Sequence, residues 1–229
     1  MQTKDYINII YEDKDLVACE KPPTLLTLPS ERAEKSLIDF LGEYYREKGD
    51  KTELFPLHRL DRLTGGVVVF AKNKATAGTL STIFAEHKNI KEYYAILEKA
   101  PEKDKDERCD MLFADKRANK SYIVDRERKG AKEARLSYEV KAKKSDGKRE
   151  LALVNISLHT GRMHQIRAQL SHIGSPILGD GKYGSRENKC SLALWAYHLS
   201  FSHKKREYDF HSCPNTSEYP WSLFENEIK

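Results

Sequence analysis

The order of apolar and polar positions along this chain sets out its elements. Residues 9–11 and 16–19 are short apolar runs separated by the turn-like Glu12-Asp13-Lys14-Asp15, and Lys21-Pro22-Pro23 stops the second run. Leu37, Phe40, Leu41 and Tyr44 recur at i, i+3, i+4 and i+7, predicting a helix over 36–46 with Ser36 as N-cap and Gly49 as stop. Ala77, Leu80, Ile83 and Phe84 predict a second helix over 74–87. Strands are predicted at 67–70, 92–97, 134–140, 153–158 and 192–201; in the last, Trp195, Tyr197, Leu199 and Phe201 share one face at period two. A third helix is predicted over 162–173. Met163, Ile166, Leu170 and Ile173 form its apolar stripe, and His164, Arg167 and Ser171 lie on an adjoining face. Thr160 or Gly161 can start that helix and Gly174 can end it. Residues 219–224 predict a short docked helix. Residues 101–132 are polar and charged, with one strand-like run at 122–124, and fit either an extended hairpin or a mobile excursion. Helices and strands mix without a βαβ alternation, and no glycine-rich phosphate loop is present, so the predicted class is α+β.

Composition narrows this picture only a little. The 229 residues suffice for one large domain, 1–229, or two packed lobes. A net charge of +5 permits a polyanionic partner without requiring one, and the basic residues crowd 116–135 and 141–149. Cys19, Cys109, Cys190 and Cys213 are widely spaced, and no leader or membrane-length apolar run is visible. The expectation is a reducing, cytoplasmic setting with no membrane partner. Cys190, His198, His203, His211 and Cys213 fall within a short span, but their spacing lacks the tight pairs of a zinc site, so no metal is assigned.

Two constellations carry chemistry. In His58-Arg59-Leu60-Asp61-Arg62-Leu63-Thr64-Gly65-Gly66, a carboxylate stands between two arginines, just before a valine-rich buried strand. Nearby cations favour the charged form of a carboxylate, and glycines allow a sharp turn or a close ligand. A structural salt bridge at a strand end fits the same residues. The 162–173 helix carries Arg162, His164, Gln165, Arg167, Gln169 and His172 and no acid. Such a face can bind phosphate or base edges; an ordinary solvated face is the alternative. The loop 174–184 is dense in turn residues and can wall a pocket.

Together these segments resemble the RluA-type pseudouridine synthases. The likeness rests on His58-Arg59-Leu60-Asp61-x-x-Thr64-x-Gly66 with Ala71-Lys72, and on Thr160-Gly161-Arg162-x-His164-Gln165-Ile166-Arg167. It extends to Gly174-x-Pro176-Ile177-x-Gly179-Asp180-x-x-Tyr183-Gly184, to Tyr11-Glu12-Asp13-x-x-Leu16-Val17 with Lys21-Pro22, and to Lys91-Glu92-Tyr93-Tyr94-Ala95. It spans about residues 9–201. The resemblance implies the family's catalytic fold, a mainly antiparallel central sheet flanked by helices with an active-site cleft across it. It implies RNA as partner, rRNA or tRNA or both, and isomerisation of uridine to pseudouridine with no metal or organic cofactor. A monomer is expected. Because the first signature begins near Ile9, recognition is expected to fall to the catalytic domain alone, without an accessory RNA-binding module.

The resemblance also implies roles. Asp61 is the essential carboxylate, as nucleophile at C1′ or as base. Arg167 pairs with it in a bidentate contact, and Tyr93 lies against the flipped base. Arg59 fills the gap left by the nucleotide or holds its phosphate. Arg62, Lys72, Arg162, His164, Gln165 and the 116–135 segment are the remaining expected RNA contacts. Three positions depart from the family pattern: Gly65 for a usual serine, Gln169 for a histidine and Trp195 for a histidine. Asp180 reads as a loop-stabilising residue. A non-catalytic RNA-binding protein on this scaffold leaves Asp61, Tyr93 and Arg167 unexplained, and a glycosidase usually needs paired carboxylates.

Overall fold

The computed structural model describes residues 7–30, 34–125 and 128–228. Its contacts divide the chain into two compact units, 1–90 with 196–212, and 91–195 with 213–229.

In the first unit, β1 (Asn8–Glu12) and β2 (Leu16–Lys21) form an antiparallel pair closed by Asp13, whose carboxylate accepts the N–H groups of Asp15 and Leu16. Helix α1 (Leu37–Glu47) follows; Asp39 at its third position accepts from the N–H and hydroxyl of Ser36. The two-residue β3 (Phe55–Pro56) and β4 (Gly65–Ala71) come next, and β4 is buried throughout, as its run of valines predicts. Helix α2 (Lys74–Ala85) is capped by Asn73, which accepts from the Thr76 N–H. β10 (Leu194–His203) pairs antiparallel with β11 (Arg206–His211), a strand absent from the sequence-based reading because only Tyr208 and Phe210 mark its inner face. Leu16, Ala18, Val67, Val69, Leu80, Phe84, Leu199, Phe201, Tyr208 and Phe210 make the core of this unit.

One contact in this core fixes the path of the chain. Gly66 has φ +119°, and a Cβ there would stand 2.1 Å from the carbonyl oxygen of Ala196. Backbone cannot swing aside as a side chain can. Gly66→Ala is therefore expected to lower stability by about 3 kcal/mol, from positive-φ strain and overpacking together. A urea unfolding midpoint indistinguishable from wild type would contradict this.

The second unit is built on antiparallel pairs in the order β5-β9-β8-β6-β7. These are β5 (Asn89–Leu97), whose first two residues fall to the other unit, β6 (Lys105–Asp115), β7 (Lys120–Ile123), β8 (Lys132–Ser145) and β9 (Glu150–Leu158). The charged stretch 101–132 is thus a paired hairpin. β6 escaped the sequence because its exposed residues Lys105, Glu107, Cys109 and Met111 alternate with half-buried charged ones, leaving little apolar contrast. The hairpin is docked: Leu112, Ala134, Ala168 and Tyr183 share one buried cluster. Helix α3 runs only from Gln165 to His172, shorter than predicted. A short 3-10 turn at Trp221–Phe224 closes the chain.

Candidate active site

The loop that carries Asp61 is fastened along its length. His58 Nε2 accepts the N–H of Val69 on β4, and the His58 ring stacks on Phe84. Leu60 is bracketed by Thr27, whose hydroxyl accepts the Leu60 N–H at 3.1 Å and donates to its carbonyl at 3.0 Å. The Thr64 N–H closes a turn onto the Asp61 carbonyl at 3.0 Å. Beyond the turn, Gly65 is the first residue of buried β4 and so belongs to a strand. Asp61 itself is half-buried.

Lys21, at the end of β2 and in register with Gly66, is fully buried. Its ammonium donates to the carbonyls of Pro22 (2.9 Å), Leu25 (2.7 Å) and Arg62 (3.2 Å). Burial pushes it down from its ordinary 10.5 to about 7, and the nearby charge of Asp61 opposes that shift. The Asp61 turn therefore rests on the buried Lys21 amine, a support whose carbonyl partners local sequence does not declare. A lysine ending an apolar strand run was the available signal. Lys21→Met is expected to cost about 2–3 kcal/mol, since three carbonyls lose their donor. The pH dependence has a definite sign. Between about pH 7 and 10.5 the unfolded chain keeps the Lys21 proton more than the folded chain does, so wild-type stability rises with pH there relative to the variant. Urea unfolding of both proteins at about pH 7 and about pH 9 checks the slope; parallel changes would refute it.

The predicted arginines and lysine around Asp61 separate. Arg59 is exposed and makes no ion pair among the described residues. Arg62 turns away from Asp61: its Nε donates to the Thr24 carbonyl and its NH1 pairs with Glu34 at 3.0 Å. Lys72, expected to contact phosphate, is engaged within the protein. Its side chain is only 11% exposed, its ammonium pairs with Glu12 at 2.6 Å, and it lies over the Tyr45 ring. A lysine just past a strand end looked exposed in sequence, but β1 supplies an acid beside it.

In the second unit, Tyr93 is buried on β5, in register with Ile156 of β9. Lys91 lies two residues before it on the same side of the strand, and burial pushes its ammonium down to about 8. Arg167 on α3 is 4% exposed. Its bidentate fork is taken by Asp180, with Nε to Oδ2 at 2.7 Å and NH2 to Oδ1 at 2.8 Å. Asp180 is thus a buried ion-pair partner, where the sequence reading had a loop-stabilising turn residue. The Arg167 guanidinium also lies over the Tyr183 ring, and His164 Nδ1 is 3.1 Å from the Tyr183 hydroxyl.

The acid-free helix face reads differently in three dimensions. His164 stands before α3 in the left-handed region, φ 52°, so it and Arg162 lie outside the helix. Gln165 is 3% exposed and its amide is consumed. The amide oxygen accepts from the Thr160 hydroxyl and the Arg162 N–H, and the nitrogen donates to the Arg135 carbonyl. The Gln165 amide is thus engaged within the fold, where the sequence predicts an RNA contact. Its amide caps the turn, which is why helix geometry begins only after His164. Gln169, 0% exposed, donates to Asp110 of β6 and the Ala134 carbonyl. The acids that balance this helix come from Asp180 and Asp110, which local sequence could not show. Arg162 donates through Nε to the Glu133 carbonyl and keeps part of its surface exposed. Trp195 is buried at 6%.

Comparison with known proteins decides the family. The model of the RNA pseudouridylate synthase family matches residues 15–172. This chain belongs to that family. The synthase is 35% identical to tRNA pseudouridine synthase C of Haemophilus ducreyi, covering 87% of this chain and 86% of that protein. It is also 35% identical to ribosomal large subunit pseudouridine synthase C of Rickettsia conorii, covering 81% of this chain and 58% of that protein. Among solved structures, human RNA pseudouridylate synthase domain containing 4 superposes with a TM-score of 0.78 at 25% identity, covering 97% of this chain and 94% of that one. The fold is accordingly α+β, and the synthase is an isomerase acting on RNA.

Proposed function

We propose that this synthase converts uridine in tRNA or ribosomal RNA to pseudouridine with Asp61 as the reacting carboxylate. The observation that carries this reading is the fastening of the Asp61 turn. A carboxylate on a loop tied to β4, to Thr27 and to the Lys21 ammonium needs little rearrangement as charge develops.

In the reaction the C1′–N1 bond breaks, the base turns, and C5 bonds to C1′. The C5 proton leaves and N1 gains one, so the product is an isomer. Asp61 serves by attacking C1′ or by removing the 2′ proton, and both roles need the ionised form. Tyr93 offers a ring for the extruded base and a hydroxyl at its edge. Arg167 serves through its charge, which Asp180 holds in place by two hydrogen bonds. Arg59, Arg162 and the exposed lysines and arginines of 116–135 are the proposed RNA contacts, with His164, 8% exposed and held at the Tyr183 hydroxyl, behind them; Arg126 lies outside the described residues. Extracting a uridine costs a few kcal/mol in a stem and less in a loop, which favours a loop target.

Tritium release from RNA carrying 5-tritiated uridine tests the activity, and pseudouridine mapping in RNA from a strain lacking the protein identifies the target. Release no faster than in buffer, across both tRNA and ribosomal RNA, would overturn the proposal.

A further inference from the structure

The outer face of the β10–β11 hairpin carries a donor set with no part in uridine chemistry. Leu199, Phe201, Tyr208 and Phe210 point into the core, so period-two alternation turns His198, Asp209 and His211 outward. His198 stands in register opposite His211, and Asp209 opposite Ser200, two residues along. Both imidazoles reach one carboxylate oxygen. His198 Nε2 and His211 Nε2 are each 2.9 Å from Asp209 Oδ1, and the three atoms lie within 4.8 Å of one another.

We propose that His198, Asp209 and His211 form a binding site for a first-row transition-metal dication, with Zn²⁺ as its representative. Two imidazole nitrogens and one carboxylate oxygen are ligands Zn²⁺ prefers, whereas Ca²⁺ and Mg²⁺ take oxygen sets. With metal–ligand bonds of about 2.0–2.1 Å, tetrahedral ligands stand about 3.3 Å apart. Each 2.9 Å contact therefore opens by about half an ångström. The two rings are stacked, with centroids 4.4 Å apart and planes 5° apart, so their in-plane lone pairs run side by side. Convergence on one ion needs the rings to tilt about the soft outer torsion of the histidine side chain. His211 and Asp209 can move, their side chains being 57% and 61% exposed, while His198, at 13%, anchors the site. Three protein ligands leave a position for water, and the ion bonds one strand to the other.

Separations of 2, 11 and 13 residues across a hairpin do not resemble sequential zinc spacings. In sequence, His198 and His211 fall with Cys190, His203 and Cys213 in a span without the tight pairs of a zinc site. His203 falls on the inward side at 3% exposure, and the third ligand is the carboxylate of Asp209.

The test uses untagged, chelator-stripped full-length protein. Zinc titration against a chromogenic chelator is expected to show one ion per chain, with affinity at least about tenfold weaker in His211→Ala and in Asp209→Ala, as ligand-shell changes usually produce. Cys213→Ser should bind as wild type, because Cys213 is a nearby thiol outside the proposed set. Cobalt substitution should give ligand-field bands without a thiolate charge-transfer band. His211 is exposed enough for truncation to leave folding intact, which an unchanged metal-free unfolding midpoint would verify. Absence of saturable binding, binding that survives both variants, or a thiolate band would each overturn the site.

Discussion

Asp61→Asn is expected to reduce tritium release from 5-tritiated uridine RNA by more than about a thousandfold, the scale of losing a nucleophile or base at a preorganised site. The amide matches the carboxylate in shape, so the fastened turn should keep its geometry. RNA affinity should stay within about tenfold, because phosphate contacts dominate binding and Asp61 makes none as an anion. A filter-binding isotherm beside the release assay separates the two quantities. Substantial turnover by the variant would remove Asp61 from the chemistry. A collapse in affinity with turnover per bound complex unchanged would make it a recognition residue.

The second large effect is that of Arg167→Ala. Arg167 and Asp180 are 5% and 1% exposed in their side chains, so truncating one strands the other as a buried charge. The expected stability loss is about 3–5 kcal/mol. Turnover should fall by more than about a hundredfold if the guanidinium also supports the reacting carboxylate. These consequences can be pulled apart. Arg167→Met with Asp180→Leu replaces the pair by apolar side chains of similar size, and such replacements are often neutral for stability. A double variant that regains the unfolding midpoint and stays inactive supports a direct part for Arg167 in the reaction. Recovery of turnover along with stability would make the pair purely structural.

The elements that were legible in sequence were those with contrast. The valine run of β4 and the stripe of α1 declare burial by composition and period. β6 lacked such contrast, with charged residues on both faces, and β11 offered only Tyr208 and Phe210 on its inner face. At the site, the motif around Asp61 was visible as a motif, whereas its support was not. Lys21 meets Arg62 through backbone carbonyl geometry, 41 residues apart, and no side-chain pattern encodes that. The polar face of α3 hides its partners for a related reason. Arg167, Gln165 and Gln169 look like solvent residues until Asp180, Arg135 and Asp110 arrive from elsewhere in the chain.

The docking of the 105–123 hairpin also sets how this part of the molecule opens. Ser121 alone gives its N–H to the Tyr183 hydroxyl and its own hydroxyl to the Met163 carbonyl, while Gln169 holds Asp110. Peeling β7 from its neighbours thus exposes the ring that the Arg167 guanidinium covers. Native-state hydrogen exchange should find the amides of β6, β7 and α3 released together at one free energy, as a single cooperative unit. Arg167→Ala should lower that shared value while leaving the slowest amides of β4 governed by global unfolding. The hairpin would then open as one piece with α3, its charged face keeping a fixed shape until that whole unit opens.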